Sequence, residues 1–198
     1  MTSWLVADVR DRFPHARLAL IGQNSTDTID RVRRGHLEAA LVALPIADNA
    51  LHVRPVVRDE VVYVSADPDH VQAPVTPADL AAARLVLSEA TWGDDDYTRS
   101  RLRQAVQSVG GSLHAAIEVE NVETALDVAA LGIADTVTAR GALRRQHGRV
   151  TAPLYSTPLE PRLHDHFAIV YRSDVTLSRP TLAVIEMATR RMREVCAQ

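Results

Sequence analysis

Short valine-rich runs alternate along this chain with longer amphipathic stretches, and that alternation restricts the fold more than any other feature. Ser3 to Phe13 sets Leu5, Val6, Val9 and Phe13 on one helical face, turns Asp8, Arg10, Asp11 and Arg12 away, and ends at Pro14. Arg17 to Ile21 is a short apolar run, followed by a polar turn over 22–25. Thr26 to Arg34 reads as a helix that stops at Gly35, and Leu37 to Leu44 as a strand closed by Pro45. Helix, strand, helix, strand is the order of a parallel sheet with helical crossovers. Val53 to Val57 and Glu60 to Ser65 read as two further strands.

From Asp67 to Pro77 the composition shifts to Asp, Pro, His and Gln, which marks a boundary, and a second α/β unit follows. Thr76-Pro77 caps a short helix over 80–83, Arg84 to Leu87 is a strand, and Ser88 to Asp96 is a loop. Tyr97 to Val109 is a helix ended by Gly110-Gly111, Leu113 to Val119 a strand, and Asn121 to Leu131 a helix stopped by Gly132. Ile133 to Val137, Arg149 to Leu154 and Phe167 to Tyr171 are strands. Leu177 to Val195 is a long helix capped by Ser178, with Leu182, Ile185, Met192 and Val195 inward.

Composition narrows the chemistry. With 198 residues and 46% hydrophobic content the chain buries a sizeable core. Its 22 Lys+Arg against 25 Asp+Glu leave a formal charge of −3, so it presents no general cationic field for nucleic acid or an anionic membrane. Every one of those basic residues is Arg, which excludes a Schiff-base lysine and a phosphate-loop lysine. Cys196 is the single cysteine, so no disulfide framework or thiolate cluster forms, and a reducing, cytoplasmic setting is expected. The first residues lack the apolar stretch of a secretory signal, and no run reaches the roughly 18 residues of a membrane span.

Several strings, in order, resemble the effector-binding domain of LysR-type transcriptional regulators over essentially the whole chain. Arg12-Phe13-Pro14-His15-Ala16-Arg17-Leu18 is similar to a segment after the family's first sensor helix, and Arg34 to Leu41 matches its Gly-x-Leu-Asp-x-Ala-Leu string with Glu38 for Asp. Asp67-Pro68-Asp69-His70 with Pro77 to Leu80, Ala130 to Val137 with Ala134 in place of a glycine, and Tyr171 to Asp174 with Leu177-Ser178 complete the set.

The resemblance implies an α/β fold of the type II periplasmic-binding-protein kind: two subdomains joined by two crossing strands, with a ligand cleft between them. Subdomain I would comprise 1–66 plus 166–198, and subdomain II 67–165. It also implies that an N-terminal winged helix-turn-helix, a linker helix and a first sheet strand precede the segment numbered here. That leaves a gap in the first sheet, which a truncation accounts for or another segment fills. DNA would be read only through that helix-turn-helix.

Ligands in such folds meet strand C-termini and helix N-termini, where unpaired N–H groups and the helix dipole favour anions. Asn24, Ser25, Thr26, Ser88, Trp92, Asn121 and Thr124 stand at such junctions and are the expected ligand-binding residues; Ser25, Thr26 and Asn121 also suit plain helix caps. The aspartates of Trp92-Gly93-Asp94-Asp95-Asp96, with Glu120 and Glu123, either complement helix dipoles or meet a cationic or hydrogen-donating ligand group beside Trp92.

The resemblance further implies head-to-tail homodimers, with Trp4, Leu5, Leu102 and Val106 as interface residues, although all four equally suit ordinary core contacts. His164-Asp165-His166 has a metal-compatible spacing but no third ligand, and no Gly-x-Ser-x-Gly elbow marks a hydrolase. No cofactor or metal is expected. The function expected is a non-catalytic sensor of a small-molecule effector. The alternatives are a solute-binding protein for transport and a degenerate dimerisation module.

Overall fold

The computed structural model describes residues 2–15, 25–47, 49–92, 96–146 and 152–196. The chain divides into two units, 1–58 with 166–198 and 59–165, so it passes between them twice. The first passage lies at 58/59 and the second at 165/166.

Unit 1 contains α1 (Thr2–Arg12), α2 (Ser25–Arg33), β1 (Ala39–Leu44), the first part of β2 (Leu51–Ser65), the end of β6 (Tyr155–Arg172) and α7 (Arg179–Cys196). β1 pairs antiparallel with β6, Leu41 opposite Ile169. Odd-numbered residues of this pair, Ala39, Leu41, Phe167 and Ile169, pack with Ile185 and Met192 of α7. Even-numbered ones, Ala40, Val42 and Val170, pack with Ile29 and Val32 of α2. The period of two thus sorts one strand pair between helices on opposite faces. Asp8 of α1 accepts from Arg191 Nε at 3.0 Å and Nη2 at 3.1 Å, which pins α1 to α7.

Unit 2 holds the rest of β2 and β6 with α3 (Pro77–Ala82), β3 (Leu85–Leu87), α4 (Tyr97–Ser108), β4 (Ala115–Glu118), α5 (Val122–Ala130), β5 (Asp135–Ala139) and α6 (Arg140–Gln146). Its strands run in the order β2-β5-β3-β4; β3 is parallel to both β4 and β5, and β2 antiparallel to β5. Val61, Tyr63, Leu85 and Leu87 face Leu80 of α3 and Leu102 and Val106 of α4. Val62 and Val64 face Leu126 of α5 and Leu143 of α6, and Val86 meets Ala125 of α5.

The structure corrects several expectations. The sheet is mixed, because β2 and β6 enter antiparallel to their partners β5 and β1. The two strands expected over 53–65 are one, β2; the charges Arg58, Asp59 and Glu60 interrupt its apolar pattern but not its extended backbone. Phe167–Tyr171 is the end of the long strand β6, and α6 answers to no sequence signal that was read. Leu182 is 47% exposed rather than inward. The run 17–21, the turn residues 22–24 and the stretch 149–151 lie outside the described residues, and 152–154 form no strand.

Candidate ligand-binding site

In unit 2 the parallel strands β3 and β4 end side by side, and the loops that leave them are stitched together. Val119 N donates to Leu87 O at 3.0 Å and Ala90 N to Val119 O at 3.1 Å. Thr91 then donates to Glu120 Oε2 from its hydroxyl at 2.7 Å and its backbone N at 3.3 Å. Ser88, the 3-10 turn Ala90–Trp92 and Asn121 therefore share one strand-end surface. Placement at the carboxyl ends of parallel strands, beside a helix N-terminus, is where open α/β sheets bind ligands.

The local chemistry of that surface is acidic with one guanidinium set into it. Arg99 of α4 donates through Nη1 to the carbonyls of Ser88 and Glu89, both at 3.3 Å, and through Nη2 to Glu118. Its own backbone N donates to Asp96 Oδ1 at 2.7 Å, so Asp96 caps α4. Glu89 sits at φ 63°, a left-handed conformation that a non-glycine residue holds only under constraint. Burial pushes its carboxyl above the usual range, the charges of Asp96, Glu120 and Glu123 push the same way, and Arg99 opposes them.

Of the expected ligand residues, Ser88, Trp92, Asn121 and Thr124 fall in unit 2 and Ser25 and Thr26 in unit 1, while Asn24 and the side chain of Trp92 lie outside the described residues. Asn121 Oδ1 accepts from Thr124 N at 3.2 Å and from its hydroxyl at 2.7 Å, the capping arrangement that the residue types also allowed. Ser25 Oγ accepts from Ala43 N at 3.0 Å, tying the start of α2 to β1, and Thr26 is exposed. Sequence reasoning missed Glu89, Thr91 and Arg99. Arg99 was hidden among Arg101 and Arg103, and nothing in a lone Glu or Thr announces a loop contact.

The expected interface residues divide differently. Leu102 and Val106 are 3% and 0% exposed in the core of unit 2, so neither offers a surface to a partner. Their spacing on an amphipathic helix served the core, the alternative that the sequence also allowed. Leu5 is half-buried, and the side chain of Trp4 lies outside the described residues.

A second polar cluster in unit 2 joins three elements. Asp135 Oδ2 accepts from the Tyr63 hydroxyl at 2.6 Å and lies 2.7 Å from His70 Nδ1. Burial holds the Tyr63 proton in place, and Asp135 adds to that. Ser65 Oγ stands 3.4 Å from the same His70 Nδ1. Asp67 Oδ2 stands 3.9 Å from His70 Nε2, beyond hydrogen-bond reach, so among the described residues carboxylate and hydroxyl approach closely only one ring nitrogen, whereas a nucleophile triad needs the imidazole to bridge them through two.

Comparison with known proteins agrees with this architecture. The LysR substrate binding domain family matches residues 3–193. The chain belongs to that family: it is a ligand-sensing regulatory domain with a type II periplasmic-binding-protein-like fold. Similar solved structures include the C-terminal domain of a probable LysR family transcriptional regulator from Rhodococcus sp. RHA1, at 20% identity and TM-score 0.70, covering 94% of this chain and 90% of that one. HinK, a LysR family transcriptional regulator from Pseudomonas aeruginosa, is 13% identical with TM-score 0.73, covering 96% of this chain and 66% of its own. Full-length CbnR in complex with its target DNA is 14% identical with TM-score 0.65, covering 96% and 64%. The chain thus spans about two thirds of the length of these two regulators. No curated protein sequence matches.

Proposed function

We propose that this domain binds a small metabolite at the strand-end surface of unit 2, and that binding changes how a LysR-type regulator engages its promoter. The observation that carries the site is the convergence of the Ser88–Trp92 loop and the α5 N-terminus at the carboxyl ends of β3 and β4. Ser88, Trp92, Asn121 and Thr124 contact the ligand. The carboxylates of Glu89, Asp96, Glu120 and Glu123 favour a ligand that presents a hydrogen-donating or cationic group. The domain acts as a homodimer in the cytoplasm and catalyses nothing. DNA is met through another part of the regulator, which the net charge of −3 supports, and through which full-length CbnR is a guide.

The test is a thermal-shift screen of the purified chain against amino acids, amines, organic acids and aromatic metabolites, with calorimetry on each hit. A ligand that raises the melting temperature, is recovered unchanged, and loses its effect on Trp92→Ala supports the reading. Turnover of a ligand, or silence from a folded protein, overturns it.

A further inference from the structure

Residues at the start of α4 reach in two directions. Thr98 donates from its hydroxyl to Asp165 Oδ1, on the last residue of unit 2 in β6. Arg99, the next residue, donates through Nη1 to the carbonyls of Ser88 and Glu89 and through Nη2 to Glu118 on β4. One helical turn, capped by Asp96, therefore ties the loop of the candidate ligand surface to the residue at which β6 leaves unit 2.

Arg99 holds that loop against opposing effects. A guanidinium in the first turn opposes the helix dipole, and Arg99 Nε is buried with no hydrogen-bond partner among the described residues. The two carbonyls it grips flank the Cα of Glu89, the residue at φ 63°. One nitrogen thus fixes the peptide planes on both sides of the left-handed turn, and the turn follows the position of Arg99.

At the other end stands a group that can change state. Leu163, two positions before Asp165 on the same face of β6, packs with Leu102 and Val106 of α4, so Asp165 faces α4. Asp96 at the start of α4 and Asp59 of β2 are the charges that bear on it, while alternation sends His164 and His166 to the opposite face of β6. Burial favours its protonated form; the Thr98 bond favours the ionised one, and the charges of Asp96 and Asp59 oppose ionisation. Ionisation therefore strengthens the bond to Thr98 and at the same time sets a negative charge against the cap of α4.

We propose that the first turn of α4 couples the proton on Asp165 to the conformation of the Ser88–Trp92 loop, with Thr98 and Arg99 as positioning residues. Its regulatory meaning rests on the reading of that loop as part of the ligand surface. Coupling is reciprocal, so a ligand that fixes the loop shifts the proton equilibrium of Asp165 at the residue where the chain passes into unit 1.

The test is an NMR titration of the whole chain without ligand, between about pH 4 and about pH 8, that follows the Asp165 carboxyl carbon and the amides of Glu89, Ala90 and Thr91. The three amides are expected to shift with the midpoint of the Asp165 carboxyl. Asp165→Asn should abolish that step, and Glu89→Gln, which removes the loop's own carboxyl, should keep it. In Thr98→Val the carboxyl should still titrate while the loop amides no longer follow, and Thr98→Ser, which restores the hydroxyl, should recover the step. Arg99→Lys keeps the charge without the fork, so the Thr98 amide should follow Asp165 and the loop amides should not. The Thr98 pair suffices if Arg99→Lys does not fold. Loop amides that stay silent while Asp165 titrates, or that titrate unchanged in Asp165→Asn or Thr98→Val, overturn the proposal. So does loss of the step in Glu89→Gln, since the loop then reports its own carboxyl. A silent loop in a chain that binds a ligand from the thermal-shift screen overturns the coupling alone. A loop that follows Asp165 in a chain for which that screen finds no ligand supports the coupling and overturns only the metabolite reading.

Discussion

The Thr98 hydroxyl donates to Asp165 Oδ1 at 2.5 Å, joining the first turn of α4 to the last residue of unit 2 on β6. Burial pushes the Asp165 carboxyl up to about 6; the Thr98 bond opposes this, and the charges of Asp96 and Asp59 add to it. Between about pH 4 and pH 6 the folded state therefore holds a proton that the unfolded chain, with the ordinary value of 3.8, has released. Stability contributed by this group is present at low pH and is lost as pH rises from about 4 through about 6. Asp165→Asn keeps an acceptor for Thr98 and removes the charge. It should raise unfolding free energy by roughly 1–3 kcal/mol at pH 8 and by little at pH 4. Urea titrations at the two pH values measure this, and an equal effect at both would refute the assignment.

Asp59 enters the same argument from β2. Both its carboxylate oxygens accept from Gly141 N, at 3.2 and 3.0 Å, so it caps α6 while lying 5% exposed. Asp59→Ala should cost about 1–2 kcal/mol through loss of that cap. Asp59→Asn should cost less, and it should also move the Asp165 titration to lower pH, because one of the charges that raises it is gone. NMR titration of the Asp165 side chain in the variant checks the second effect; an unmoved midpoint would mean the two groups do not interact.

Adjacent glycines after α4 resist substitution for different reasons. Gly110 has φ 78° and open space where a Cβ would stand, so Gly110→Ala should cost about 1 kcal/mol through backbone strain alone. At Gly111 a Cβ would meet Ala81 Cβ and Val106 Cγ1, each at 3.0 Å, so there the cost arises from crowding of α3 against α4. Asn tolerates the left-handed region, so Gly110→Asn should recover part of the loss and Gly111→Asn should not. Comparative melting temperatures of the four variants decide it.

The sequence carried most of the helices because their stop and start signals are local. Thr76 and Asp79 form the capping box that Thr76-Pro77 announces, and Asn121 caps α5 as its residue type suggests. It failed where a long-range partner decides. Arg58 and Asp59 looked like a break between strands, with Glu60 opening the second, yet Asp59 and Glu60 anchor α6: Gly141 N donates to Asp59, and Arg140 donates to Glu60 Oε2 at 3.0 Å through Nε and 2.7 Å through Nη2. Burial works against the Glu60 charge, but the bond and charge of Arg140 outweigh it and hold its carboxyl below the usual range. The partner lies 80 positions away, where no periodicity in the strand can register it. The strand-to-helix junctions of the candidate site were legible, because those follow from element order. Its loop contacts, Thr91 with Glu120 and Arg99 with Ser88, depend on how two loops meet.

Leu102 settles what a dimerisation test must avoid. It lies in one core cluster with Val61, Leu80, Leu85 and Val106, and is 3% exposed. Leu102→Asp would bury an unpaired carboxylate there, so the loss of any dimer in that variant would report unfolding rather than an interface. Leu102→Ala should cost about 2–5 kcal/mol through the cavity it leaves. It should leave the association constant of the folded protein unchanged, since the side chain offers no surface. Arg101, its exposed neighbour on α4, is the informative site: Arg101→Glu leaves the core intact, so a dimer weakened tenfold or more by sedimentation velocity would place α4 in the interface. An unaltered dimer would remove this face of α4 from it.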